Sequence, residues 1–173
     1  MNERMYKIFN NAFGWLAFII ASTVYILTAE PTASFWDCGE FIATAYKLQV
    51  GHPPGAPTFQ LIGRIFSMLA LGDVSRVAWY INVMSALCSG FTIAFMFWSM
   101  TMLLRKLAKI GDTIIAKHKA IAIFGGAMVA SLAYTFTDTF WFSAVEGEVY
   151  AMSSMFTALV FWMILKWERE ADQ

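Results

Sequence analysis

The sequence predicts an all-α, polytopic membrane protein with four transmembrane helices and amphipathic juxtamembrane helices in its first outer loop. Three observations lead there. Hydrophobic residues make up 59% of the chain and aromatic ones 17%, against 14% charged, a balance suited to lipid as the main solvent. Four charge-free windows, Ala12–Ala29, Val77–Leu104, Ala120–Thr137 and Val149–Leu165, are long enough to cross or nearly cross a bilayer. Directly after the first window, Phe35 to Phe59 places two carboxylates and a rigid HPPG turn at the membrane edge, where charge is costly and commonly marks function.

The first window spans roughly 27 Å at about 1.5 Å per residue, close to a hydrocarbon thickness of about 30 Å. Its length and the absence of an A-x-A site before Glu30 favour an uncleaved first helix over a signal peptide. The second window is long enough to tilt. Tyr25, Trp79, Tyr80, Trp141, Tyr150 and Trp167 fall near window ends, where interfacial aromatics sit. With the N-terminus inside, the inner segments hold Arg4, Lys7, Arg105, Lys106, Lys109, Lys117, Lys119, Lys166 and Arg169, and the outer ones only Lys47, Arg64 and Arg76. That positive-inside bias places both termini in the cytoplasm and the loops 30–76 and 138–148 outside. Acids gather on the outer side, at Glu30, Asp37, Glu40, Asp73, Asp138, Glu146 and Glu148. Cys88 lies within a span, so a bridge to Cys38 is not expected, and no Cys/His metal pattern is present.

Within the long outer segment, helical spacing puts Asp37, Glu40, Thr44 and Lys47 on one face and Phe41, Ile42, Ala45 and Leu48 on the other. That face is either a solvated surface with an intrahelical ion pair or a paired-acid site. A second amphipathic piece, Pro57 to Leu71, aligns Gln60, Arg64 and Ser67. Between them QVGHPPGAP makes a stiff corner, because prolines fix φ and remove donors. His52 at its start is a general base, a substrate hydrogen-bonder or a capping residue. Arg64 suits a phosphate or pyrophosphate, or else snorkels to lipid headgroups. In the second outer segment, Glu146-Gly-Glu148 can turn two carboxylates toward one hard cation or a hydroxyl cluster, or simply sit at a helix N-terminus. Ser153 and Ser154 read as packing residues. The basic inner loop RKLAKIGDTIIAKHK reads as a solvated, headgroup-facing connector.

The runs WDCGEFI, GHPPGAPTF and WFSAVEGEVYAMSSMF resemble motifs of a bacterial, Bacteroidetes-type membrane-protein family of formerly unknown function, related to the plexin-type protein O-mannosyltransferases of the GT-C glycosyltransferase superfold. The resemblance covers nearly the whole chain. It implies an enzyme of the bacterial inner membrane. This enzyme moves a sugar, such as mannose, from a polyprenyl-phosphate donor at the outer face to an acceptor hydroxyl on a protein Ser or Thr or on a glycan. GT-C enzymes place an acid in the first outer loop, where Asp37 and Glu40 stand, and some hold a divalent metal on an acid-x-acid pair, the position of Glu146 and Glu148. On that reading Asp37 is the base, Glu40 orients the acceptor or tunes Asp37, and the leaving phosphate meets Arg64, Lys47 or a Mg or Mn ion, with His52 as a further substrate contact. No Gly-rich nucleotide loop is present, which suits a lipid-linked donor, and no nucleic-acid partner is expected. GT-C enzymes have more than four membrane helices, so the chain reads as the N-terminal fragment of a GT-C-like module, a single transmembrane domain over 1–173 whose isolated activity is doubtful. Two rivals remain: a transporter or channel, which predicts charge deep in the spans that none of the windows carries, and a non-catalytic assembly subunit.

Overall fold

The computed structural model describes residues 1–53, 55–108 and 115–171; helices joined by turns and loops make up the fold, with no strand among the described residues. The helices are α1 (Glu3–Leu27), α2 (Cys38–Lys47), α3 (Pro57–Met68), α4 (Val77–Leu107), α5 (Lys117–Thr135), α6 (Asp138–Ala144) and α7 (Val149–Ala171). Helices α1, α4 and α7 are long and apolar enough to cross a membrane. The bent pair α5 and α6 makes a fourth span if counted as one. The protein is therefore an all-α polytopic membrane protein, as composition requires. Of the three spans, α4 is the most enclosed, 56% of its apolar window being buried, whereas α7 has 11%. Helix α4 is thus the core element, and α7 turns Val160, Phe161, Met163 and Ile164 outward, where only lipid or other protein can cover them.

Several boundaries differ from the sequence expectation for local reasons. Helix α1 begins nine residues before the charge-free window opens, because Asn2 Oδ1 accepts the Met5 N–H at 2.9 Å and caps a polar first turn. A charge-free window marks what lipid tolerates, not where helical hydrogen bonding stops. The second outer segment, expected as a short loop from Asp138 to Glu148, contains α6, which buries Phe140 and Ala144 on one face. Tyr25, read as an interfacial aromatic, is fully buried and packs edge-on against Phe140 and Trp141. Cys38 and Cys88 are both free thiols and both buried.

The chain divides into two compact units. One comprises Met1–Ala21, Gly90–Thr137 and Met155–Gln173. Its core joins Tyr6, Phe97, Trp98 and Phe124 with Ala94, Ala120 and Ala127, and Phe13, Phe95 and Trp162 pack against it. The small alanines let large rings approach neighbouring backbones, the packing device of helices that lack a hydrophobic drive in lipid. Polar ties fix the register: Trp98 Nε1 donates to the Asn10 carbonyl at 3.2 Å, and Met1 and Ile115 exchange backbone hydrogen bonds at 2.8 and 3.0 Å.

The second unit comprises Ser22–Ser89 and Asp138–Ser154. Here α2 packs on α3, with Phe41 against Phe59 at 5.6 Å between ring centroids. The approach is close at Gly63, where an added Cβ would stand 3.0 Å from the Ala45 Cβ. Asn82, buried near the start of α4, donates to the carbonyls of Glu30 at 2.7 Å and Thr32 at 3.0 Å, and Glu30 N–H donates to the Val145 carbonyl at 3.0 Å. The segment before α2 and the segment before α7 are therefore stitched to the same few residues.

Gly147 sits where this stitching is tightest: a Cβ there would meet Asn82 Oδ1 at 2.9 Å and Ile42 Cγ1 and Ile81 Cγ2 at 3.1 Å. Gly147→Ala is expected to destabilise by about 1–3 kcal/mol, the usual cost of overpacking. Gly125→Ala, in open space on α5, should be neutral or slightly stabilising. Thermal unfolding in detergent, followed by tryptophan fluorescence, checks the contrast.

Candidate functional site

Asp37 occupies the N-cap position of α2, yet its side chain makes no capping hydrogen bond. An Asp in that place commonly spends its carboxylate on the helix's orphan N–H groups. Here it stays available, while the positive end of the helix still favours its anion. The residue before it, Trp36, has φ of +66°, the left-handed region that a bulky side chain adopts at a cost of about 1 kcal/mol or more. Phe35 and Trp36 project outward, 92% and 91% exposed. The backbone is thus turned sharply to deliver Asp37 to the start of α2.

One turn on, Glu40 reaches across to the corner. Its Oε1 accepts the backbone N–H of His52 at 2.7 Å, and its Oε2 lies 3.1 Å from His52 Nδ1. His52 Nε2 stands 4.0 Å from Asp37 Oδ2. The result is a carboxylate–imidazole–carboxylate series, with ligand-type atoms of all three residues within 4.8 Å of one another. The HPPG sequence supports it: the Gly55 N–H donates to the His52 carbonyl at 2.8 Å, and Gly55 takes φ of +76°, so the chain reverses immediately after the imidazole. His52 also packs against Phe41, 5.7 Å between centroids. Pro54 lies outside the described residues.

The expected polar face of α2 is realised only in part. Thr44 is buried, its hydroxyl donating back to the Glu40 carbonyl at 2.8 Å, with Gly51 of the corner beside its methyl group. Lys47 and Arg64 lie together, but at the far end of the helix: ten residues from Asp37 is about 15 Å of helical rise. They line a shallow cavity of about 250 Å³ with Tyr46 and Leu48. Arg64 Nη1 donates to the Tyr46 carbonyl at 2.8 Å, satisfying one of the orphan acceptors at the end of α2, and both cations lie over the Tyr46 ring. Ser67, expected on the face of α3 shared with Gln60 and Arg64, is buried and donates to the Arg64 carbonyl at 2.7 Å.

Glu146 and Glu148 are 2% and 7% exposed, which the sequence did not indicate. Burial pushes the Glu146 carboxyl above the usual range, the Ser34 hydroxyl partly offsetting this and nearby Glu30 adding to it. Burial likewise raises Glu148, reinforced by the charges of Glu146 and then Asp37. Glu148 is thus electrostatically linked to the exposed series. Neither joins a group of three coordinating side chains; among the described residues that arrangement occurs at Asp37, Glu40 and His52. Sequence reasoning noted Asn82 only as a polar point in the second window and passed over Ser34. A lone amide near the start of a charge-free window was the available signal for Asn82.

Fold and site together define a helical integral membrane protein carrying an acid and imidazole site on a short helical hairpin. Residues 37–173 match the family model described as the Protein O-mannosyl-transferase TMEM260 N-terminal domain, and the chain belongs to that family. It is 30% identical over 148 residues to Protein O-mannosyl-transferase tmem260 of Dictyostelium discoideum, covering 86% of this chain and 16% of that protein. It is 23% identical over 151 residues to Protein O-mannosyl-transferase TMEM260 of Mus musculus, covering 87% and 19%. The chain therefore spans less than a fifth of the length of these curated relatives. No solved structure matches it. The relation to O-mannosyltransferases expected from the WDCGEFI, GHPPGAPTF and WFSAVEGEVYAMSSMF runs holds.

The Glu40–His52 pair gives a titration with a defined sign. The two hydrogen bonds from His52, backbone before side chain, lower Glu40 from its ordinary 4.5. The hydrogen bond from Glu40 and then its charge raise His52 from 6.5. The His52 contribution is complete below pH 6.5 and is lost as pH rises through its raised value. The Glu40 contribution is present above pH 4.5 and is lost as pH falls through its lowered one. The pair is therefore whole between those limits, and modest in strength because both groups are exposed. In Glu40→Gln the His52 midpoint should fall back toward 6.5, read by NMR of labelled histidine with His118→Gln resolving the second of the two histidines.

Proposed function

We propose that this chain carries the acceptor-activating part of a membrane glycosyltransferase that transfers mannose from a polyprenyl-phosphate donor to a Ser or Thr hydroxyl of a protein at the outer face of the membrane. The carrying observation is the series Asp37, His52, Glu40, with an uncapping carboxylate at a helix N-terminus. Family membership supports the reaction class.

The chemistry follows from these positions. A neutral hydroxyl is a poor nucleophile, so a carboxylate must take its proton as it attacks the anomeric carbon and the bond to the carrier phosphate breaks. Asp37 is the base. His52, fixed by Glu40 through both its backbone and its ring, presents Nε2 toward Asp37 and the incoming hydroxyl. Glu40 is a positioning residue. Lys47 and Arg64, about 15 Å along the helix from Asp37, are too far from it to meet the donor's single phosphate at the reacting centre, and face lipid headgroups instead. For Glu146 and Glu148 the reading favours the acid form over a bound ion, since burial raises both, Glu30 adds to Glu146, Glu146 and Asp37 add to Glu148, and among the described residues no third coordinating side chain completes the set.

Asp37→Asn in the full-length protein should lower transfer from a synthetic polyprenyl-phosphate mannose by roughly 10²–10⁴-fold, the range of general-base contributions, with a smaller loss for Glu40→Gln. Undiminished turnover in Asp37→Asn removes the assignment and favours a non-catalytic membrane subunit. Transfer should also survive EDTA. A loss that Mg or Mn restores would instead point to a divalent ion, held by Glu146 and Glu148 if Glu146→Gln abolishes the rescue and by Asp37, Glu40 and His52 if it does not.

A further inference from the structure

A second polar region lies in the other unit, where the start of α1 meets the last turns of α4 and α7. These elements surround a cavity of about 640 Å³, within the range of about 300–1,000 Å³ typical of small-molecule sites. Five cations line it: Lys7, Arg105, Lys106, Lys166 and Arg169. The acids on its lining are Glu168 and Glu170. Glu168 is paired with Lys106.

The charge balance at one corner is uneven in a way the fold itself enforces. A single carboxylate, Glu3, is shared by three cations: Arg105 holds it with two bonds at 3.1 and 3.2 Å, and Lys7 and Arg169 each approach to 3.9 Å. Arg105 is 8% exposed and lies over the Tyr6 ring at 4.5 Å, so its position is set by packing. Lys166 lies over the Trp162 ring at 4.9 Å. Asn10 Oδ1 is buried beside the cavity without a hydrogen-bond partner among the described residues. Part of the lining is apolar: Trp98 and Trp162, 5.5 Å between centroids, with Leu103 and Leu165.

A ligand complementary to this cavity has an anionic group at the cationic mouth, a hydroxyl or amine to donate to Asn10, and an apolar portion beside the indoles. Basic pockets between membrane helices bind lipid phosphates by this chemistry. We propose that the cavity is a binding site for an anionic phospholipid, distinct from the Asp37, Glu40 and His52 site, with its phosphate among Lys7, Lys166 and Arg169 and its acyl region along Trp98 and Trp162. A lipid, and not a free phosphate, is the occupant because half of the site is apolar and sits on membrane-spanning helices.

The test uses the full-length protein in nanodiscs of phosphatidylcholine with a minor fraction of phosphatidylglycerol, released and weighed by native mass spectrometry. One phosphatidylglycerol should be retained per protein in preference to phosphatidylcholine. Retention should weaken roughly fivefold for each cation removed, in Lys166→Gln and in the double variant with Arg169→Gln. Lys7→Gln, whose side chain is 58% exposed, gives the same reading without risk to the core. Equal retention of the two lipids overturns the proposal, as does unchanged retention in all three variants. Complete displacement of the lipid by millimolar inorganic phosphate overturns the lipid assignment in favour of a free anion. Mannosyl transfer by Lys7→Gln in detergent does not enter the reading, so this site and the transfer site fail independently.

Discussion

The double hold of Glu40 on His52 is the constraint on which the candidate site rests. One carboxylate oxygen accepts from the backbone and the other meets the ring, so a single residue fixes both where the chain turns and how the imidazole faces. Two consequences follow. The corner between α2 and α3 is closed by side-chain chemistry as well as by its prolines. The second ring nitrogen is aimed at Asp37, which has been spared from capping the helix it begins. A polar site at a membrane edge needs such cross-bracing, because water competes for each exposed hydrogen bond and a single one contributes only about 1 kcal/mol.

Behind this exposed series lies a buried acidic pair, and the two are connected through charge. Glu146 and Glu148 are buried on either side of Gly147, where only glycine fits against Asn82, Ile42 and Ile81. Burying two carboxylates would be very costly if both were ionised, and the raised proton affinity of each is how the fold lowers that cost. Asn82 contributes twice here, once by tying the Glu30 and Thr32 carbonyls and once as a wall beside Gly147. The WFSAVEGEVY run therefore acts as structure and as electrostatics, and its glycine is required by packing.

The other unit applies a different solution to charge near lipid. Arg105, Lys7 and Arg169 converge on Glu3, and aromatic rings take up the remaining cationic surface at Tyr6 and Trp162. Lys7, Arg105, Lys106, Lys166 and Arg169 are each held by a ring or a carboxylate, which lets charged residues persist in helices that are otherwise suited to spanning a bilayer.

The sequence by itself determined the class and most of the elements. Apolar windows, their lengths, and the amphipathic spacing of Cys38–Lys47 and Pro57–Met68 follow from solvent and helical period, which are local properties. It also singled out Asp37, Glu40 and His52 as chemistry-bearing, because charge and an HPPG corner at a membrane edge are expensive to keep. What it did not yield was which of these residues meet. His52 and Glu40 are twelve residues apart, and only the packing of α3 on α2 brings them into contact while leaving Lys47 and Arg64 at the far end. The burial of Glu146 and Glu148, the loss of Thr44 from the polar face and the enclosure of Tyr25 were likewise decided by the tertiary structure. Burial depends on what other segments cover, and no periodicity within a segment carries that information.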